Sequence, residues 1–153
     1  MDEYDPTATY ISAWLMVRSA RLTAAEITEA IGMEPDEHWT KGERRAGKPL
    51  TYPRPNSSGV RFISDLPSSA SPTEHIGRLL KRLEGVSDRI GQLARSSEPE
   101  GPDTAPDPWV LLLLLPMFRT EQDQLSLSSE EVSILARMGA EMEVGYLWDW
   151  GEE

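Results

Sequence analysis

The chain has 153 residues, room for one ordinary domain, and its 15 Lys and Arg against 26 Asp and Glu give a formal charge of −11. With 39% hydrophobic and 27% charged residues it has the composition of a globular protein, which excludes a collagen, a coiled-coil rod and a membrane protein. The absence of cysteine removes disulfides, thiolate nucleophiles and Cys-ligated zinc or iron–sulfur clusters, and only His38 and His75 are available for imidazole chemistry.

Residues 1–6 are acidic where a secretory signal is basic, so the chain is expected to stay in the cytoplasm. Residues 10–17 are β-branched, aromatic and aliphatic without helical spacing and predict a first strand. Thr23 with Glu26 three places on has the spacing of a capping box, and Ile27, Ala30 and Ile31 form the apolar stripe of a short helix that Gly32 and Pro35 end. From 40 to 58 the density of Gly and Pro predicts a long loop or loose hairpin. Residues 60–63 predict another strand, followed by a Ser and Pro turn at 67–72.

Ile76, Leu79, Leu80, Leu83, Val86, Ile90 and Leu93 recur at three and four residues, giving a helix over 73–94 that Gly85 and Ser87 can split. Residues 96–108 hold Pro99, Pro102, Pro106 and Pro108 among acidic and small residues, the composition of a flexible solvated linker. Residues 109–115 predict the central strand; the apolar run to Phe118 is about half the length that spans a bilayer and is broken by Pro116. Residues 125–127 can add a brief extended piece. Ser128 or Ser129 then caps a helix ending at Gly139, and 143–148 form the last strand.

Two stretches run in parallel: each reads strand, capped helix, glycine, and an extended segment ending in tryptophan, Trp39 in the first and Trp148 in the second. This predicts an α+β fold over 1–153, a single domain with one mainly antiparallel or mixed sheet from two similar β-α-β halves and helices on one face. Trp14, Trp109 and Trp148, on predicted strands, are expected to fill the core. Trp39 and Trp150 fall at element ends and are the candidate interaction aromatics, although packing of Trp39 as a staple for the Lys41-Gly42 loop is the simpler expectation.

The segment Ile31-Gly32-Met33-Glu34-Pro35, with His38-Trp39-Thr40-Lys41-Gly42-Glu43 after it, resembles bacterial domain-of-unknown-function family 4279. The leucines Leu79, Leu80 and Leu83 and the late segment from Leu135 to Tyr146 extend the likeness over most of the chain. Where that family has a tryptophan in the strand after the turn, this sequence has Val60-Arg61-Phe62. The resemblance implies an α+β architecture and transfers no catalytic residues.

Chemistry-bearing patterns are sparse. There is no Gly-x-Ser-x-Gly elbow, no Gly-x-Gly-x-x-Gly and no lysine-bearing phosphate loop, so hydrolase, kinase and dinucleotide readings lose their usual carriers. His75, beside Glu74, reads as an exposed helical histidine. Asp36-Glu37-His38 reads as a solvated loop, because adjacent residues of an extended chain point to opposite sides and rarely share an ion. Glu130 and Glu131 read as first-turn acids that suit the helix dipole. No catalytic residue, metal site or cofactor is expected.

Charge is strongly segregated. Residues 1–40 carry two basic and eight acidic side chains, residues 41–95 eleven and five, and residues 96–153 two and thirteen. Within the basic loop 41–61, Lys41, Arg44, Arg45 and Lys48 are the candidate anion-binding residues; the competing account folds this loop back onto the acidic remainder. The leading functional expectation is a non-enzymatic cytoplasmic protein-interaction module, with an inhibitor or immunity-type protein for a basic partner as one form of it. One alternative is a sensor that binds a small anionic ligand at the basic loop. Another is an enzyme of unidentified chemistry. Neither nucleic acid nor a membrane is an expected partner.

Overall fold

A computed structural model of the chain describes residues 12–43, 54–67, 69–96, 107–115 and 126–144. In chain order these form β1 (Ser12–Ser19), α1 (Ala24–Ile31), β2 (Glu37–Trp39), β3 (Ser58–Ile63), α2 (Pro72–Leu83), a 3-10 turn (Glu84–Val86), α3 (Ser87–Ala94), β4 (Trp109–Leu115), α4 (Ser129–Met138) and β5 (Glu141–Val144).

Three of the helices begin on one device, a hydroxyl residue followed three places on by glutamate. In α1 the Thr23 hydroxyl accepts from the Glu26 amide and the Glu26 carboxylate accepts from the Thr23 amide, both at 3.1 Å. Ser71 with Glu74 and Ser128 with Glu131 do the same for α2 and α4. Each pair satisfies two N–H groups that the first turn leaves without intrahelical partners. Helices α1 and α4 end on Gly32 and Gly139, at φ of +78° and +63°, where a Cβ would be strained.

The sheet order is β2-β3-β1-β4-β5, with antiparallel pairing throughout except for parallel β4 and β5. Strands β1 and β2 run parallel around α1 with β3 between them, and β3 and β4 run parallel around α2 and α3 with β1 between them. That interleaving is the split β-α-β arrangement of ferredoxin-like folds. Helix α4 and β5 then append a fifth strand. The fold is therefore α+β, one mixed sheet with helices packed on one face. Both predicted β-α-β units form, β1-α1-β2 and β4-α4-β5, but they differ in connection: the strands of the second are neighbours, whereas those of the first straddle β3.

Alternation along the strands decides what the helices cover. Ala13, Leu15 and Val17 of β1, Val60 and Phe62 of β3, and Val110, Leu112 and Leu114 of β4 join Ile27, Ile31, Ile76, Leu80, Leu83, Ile90 and Met138 in the main core. Trp14 and Trp109 lie on strands, as expected, but not in that core. They occupy the alternate positions and are only half-buried on the opposite face. Aromaticity suggested burial; the period of two overrides it, because the residues on either side of Trp14 are the ones that face the helices. Trp148 lies outside the described residues.

The other departures are local. β1 runs on to Ser19, two residues past the predicted end at 17, and β5 begins at Glu141 rather than 143; residues 10–11 and 145–148 of the two predicted strands lie outside the described residues. The split of the long helix falls at Glu84–Val86, as the Gly85 and Ser87 signal implied. Ser126 and Leu127, within the suggested extended piece, are not in a strand, and Ser128 is the cap of α4. Of the proline-rich linker 96–108, residues 97–106 lie outside the described residues; Asp107, at its end, is bound to the end of β1.

Helices α3 and α4 approach so closely at Gly91 that a Cβ there would overlap the Arg137 carbonyl, whereas one at Gly85 would meet open space. Gly91→Ala should therefore lower stability by about 1–3 kcal/mol through forced separation of the helices. Gly85→Ala should leave it unchanged or slightly raised. Urea unfolding of the two variants side by side checks the packing.

Candidate functional site

The face of the sheet opposite α1–α4 carries an ordered array set by strand register. One row across it reads Trp39, Gly59, Arg18, Trp109; the next reads Glu37, Arg61, Met16, Leu111, Glu141; the third reads Ile63, Trp14, Leu113, Glu143. Met16, Leu111 and Leu113 are buried, which explains the unbroken leucine run of β4: its alternate residues belong to two different apolar layers.

Two arginines lie over the tryptophans of this face. The Arg61 guanidinium is 4.2 Å from the ring centre of Trp14 and 5.5 Å from that of Trp39, and it is ion-paired with Glu37. Arg18 lies 4.2 Å from the ring centre of Trp109. Such stacks contribute about 0.5–2 kcal/mol each, more as water is excluded. Burial lowers the Arg18 pKa from the ordinary arginine value, an effect that Glu143 opposes through space. The indole N–H of Trp109 donates to Glu141 at 3.2 Å, fixing the ring. Trp39 packs over Gly59, where a Cβ would collide with its six-membered ring and with the Val17 carbonyl.

The acidic triplet is divided among partners. The Asp36 carboxylate accepts from both terminal nitrogens of Arg82, at 2.6 and 3.2 Å, and from the Ile63 amide at 2.7 Å. Hydrogen bonding to Arg82 is the main reason its pKa lies below the ordinary aspartate value. Glu37 serves Arg61, while His38, paired with Val60 in register, belongs to the other face and is exposed. Among the described residues no group of three His, Asp or Glu could hold a metal ion.

His75 departs from expectation. It is buried, not exposed: its Nδ1 is 2.8 Å from the Ser64 hydroxyl and its Nε2 is 3.0 Å from the Pro67 carbonyl. A carbonyl can only accept, so Nε2 carries the proton and Nδ1 accepts from Ser64. Both residues of this Ser–His contact are buried, so its observed part is to hold the turn in place. The ring ties the turn after β3 to α2. The helical period alone places residue 75 only one position before the apolar Ile76, and no polar neighbour in sequence reveals Ser64 as its partner.

The sequence-predicted anion residues are only partly placed. Lys41 is exposed, its amide donating to the Ser58 hydroxyl at 2.9 Å; Arg44, Arg45 and Lys48 lie outside the described residues, as does Trp150. The loop's two ends are joined by a hydrogen bond from the Gly42 amide to the Pro55 carbonyl and one from Arg54 to the Gly42 carbonyl. Sequence marks Arg61 only as the last cation of the basic loop 41–61 and does not mark Arg18, although an arginine inside an otherwise apolar strand at an alternate position is the available signal.

Burial lowers the His75 pKa from its ordinary value, more than the Pro67 carbonyl and Glu74 raise it. The unfolded chain takes up a proton near pH 6.5 while the folded one still excludes it. Stability should thus be full above that pH and fall as pH drops below it, down to the lower folded value. Melting curves between pH 8 and 5 should show this decline, and His75→Gln should flatten it.

Among the described residues no helix is long and apolar enough to cross a membrane. A family model described as a domain of unknown function, DUF4279, matches residues 7–148, nearly the whole chain. No curated protein and no solved structure matches it.

Proposed function

The chain belongs to the DUF4279 family, which carries no assigned activity, and from that premise we propose a cytoplasmic, non-enzymatic protein-interaction module that docks a basic partner on the face of its sheet opposite α1–α4. The observation that carries this reading is the array of half-buried Trp14, Trp39 and Trp109 with arginines laid across them and exposed glutamates along both borders. Tryptophan and arginine are the residues that most often anchor interfaces. Glu37 at one edge and Glu141 and Glu143 at the other give that face an acidic rim, in keeping with the net charge of −11. A cationic partner is drawn to such a rim before it contacts the aromatic centre.

An inhibitor or immunity-type role is the finer form of the proposal. A small acidic domain of this kind works by covering a basic surface, which needs complementarity and no reacting groups of its own. The buried Ser64–His75 pair and the committed Asp36 carboxylate favour this over an enzyme, since each spends its polar atoms on holding loops in place.

Tagged protein in a lysate of the native host at low salt should capture a protein of high isoelectric point. The purified pair should lose at least about tenfold in affinity on going to Glu141→Gln with Glu143→Lys, a double change that keeps an acceptor for the Trp109 indole, and should weaken with salt. Recovery of no protein, or equal binding by the double variant, would overturn the reading.

A further inference from the structure

At the end of the sheet where β1 runs into the turn before α1, a cavity of about 300 Å³ opens between β4 and the segment entering β3. Its lining includes Arg18, Asn56, Ser57, Asp107 and Trp109. The two charged side chains of this cavity are in opposite situations. The Asp107 carboxylate accepts from the Ser19 hydroxyl and, at 3.0 Å, from the Ala20 amide, and Arg21 lies 3.9 Å from it; the Arg21 guanidinium also donates to the Asp107 carbonyl. Its negative charge is therefore engaged by the turn.

Arg18 has no such closure. Its guanidinium rests on the face of Trp109, half-buried, and among the described residues it has no hydrogen-bond or ion-pair partner. The nearest opposing influence is Glu143, which acts at a distance. A guanidinium presents five N–H donors in a planar fork, and those of Arg18 are left to solvent in the cavity that it lines. The surroundings are arranged for what the fork lacks. Trp109 is oriented by its bond to Glu141, and Asn56 and Ser57 are held in place because residues 54, 55 and 58 are tied to residues 41 and 42. Asn56 and Ser57 bring neutral donors to the cavity, and Lys41 and Arg54 bring two further positive charges to the same end of the sheet.

We propose that this cavity binds a small oxyanion, the carboxylate or phosphate of a compact molecule, with Arg18 pairing to two of its oxygens and Asn56 and Ser57 donating to it. Guanidinium geometry suits both groups, and the volume is at the lower end of small-molecule sites. This site goes beyond the docking reading and does not need it: the ligand is small, and its recognition uses the sheet's end rather than the acidic rim. It shares Asn56 and Ser57 with the basic loop 41–61, but the pairing cation comes from the central strand.

The test is a thermal-shift titration of the full chain with inorganic phosphate in one arm and succinate in the other, at constant ionic strength with chloride as the blank. One arm or both should raise the melting temperature by about 3–8 °C at concentrations well above the dissociation constant, and the arm that does so names the group. Arg18→Met, which retains an unbranched stem over the Trp109 ring, should abolish the rise. Asn56→Asp, on an exposed residue, puts a carboxylate in the cavity beside Arg18 and should abolish it with the ligand-free melt no lower than that of the unaltered chain, so the proposal stays falsifiable if Arg18→Met does not fold. No rise in either arm for the unaltered chain, or an undiminished rise in Asn56→Asp, would overturn it.

Discussion

Strand β1 is hydrogen-bonded on both sides, to β3 and to β4, and the rest of the structure takes its register from it. With a side-chain period of two, a single assignment on β1 fixes which residues of its neighbours reach the helices. Ala13, Leu15 and Val17 point to the main core, and so their register partners Phe62, Val60, Leu114, Leu112 and Val110 do as well. A shift of one residue would send Arg18 and Trp14 under the helices and Leu15 out. The cost of burying an arginine among Ile27, Ile76 and Leu80 is several kcal/mol, which makes the observed register the only stable one of the two.

The helices answer to that sheet in a simple way. Each of α1, α2 and α4 carries its own start signal in the form of a hydroxyl cap and a glutamate, and α1 and α4 end on left-handed glycines, so their limits are set locally. These are the parts a sequence discloses: Thr23 with Glu26, Gly32, Ser128 and Gly139 all stand where spacing puts them. The same spacing in Ser71-Pro72-Thr73-Glu74 marks the start of α2 at Pro72, one residue before the point where the apolar period alone begins the helix. Strand faces were less legible. Residues 109–115 are apolar at every position, so no alternation shows which side faces the helices, and Trp14 and Trp109 look like core residues until pairing assigns them to the second layer. His75 was hidden for another reason. Its burial depends on a turn eleven residues upstream, and contacts of that kind leave no mark in the local pattern.

The charge map shows a similar division between local and long-range information. The middle segment is net basic and the flanks acidic, and several of its cations are consumed within the fold. Arg61 and Arg82 reach back to Glu37 and Asp36 of the acidic first segment, whereas Arg78 pairs with Asp65 in its own segment. Asp36 also accepts a backbone amide of β3, so this pair joins α2, β3 and the turn before β2. Exposed pairs of this sort add little stability one by one. The Asp36–Arg82 and Asp65–Arg78 pairs lie at the end of the β2–β3 pair opposite the loop 40–58, where they tie α2 to the sheet.

Arg18 and Arg61 occupy equivalent settings on the same face, each with its guanidinium 4.2 Å from a tryptophan ring centre. What separates them is position across the sheet. Arg61 is on β3, next to the edge strand, and Glu37 directly opposite it on β2 supplies a counter-charge at ion-pair distance. Arg18 is on the central strand, and its register partners are Gly59 and Trp109, neither of which can carry a charge. Glu141 and Glu143 lie on the far side of β4, too distant to close the pair, and Asp107 has been turned toward Ser19 and Ala20. Gly59 cannot be exchanged for an acidic residue, because any side chain there would strike Trp39 and the Val17 carbonyl. The packing that seats Trp39 on the sheet thus also keeps the central arginine without a partner from its neighbouring strands, and it leaves Arg18 lining a cavity that is open to an anion.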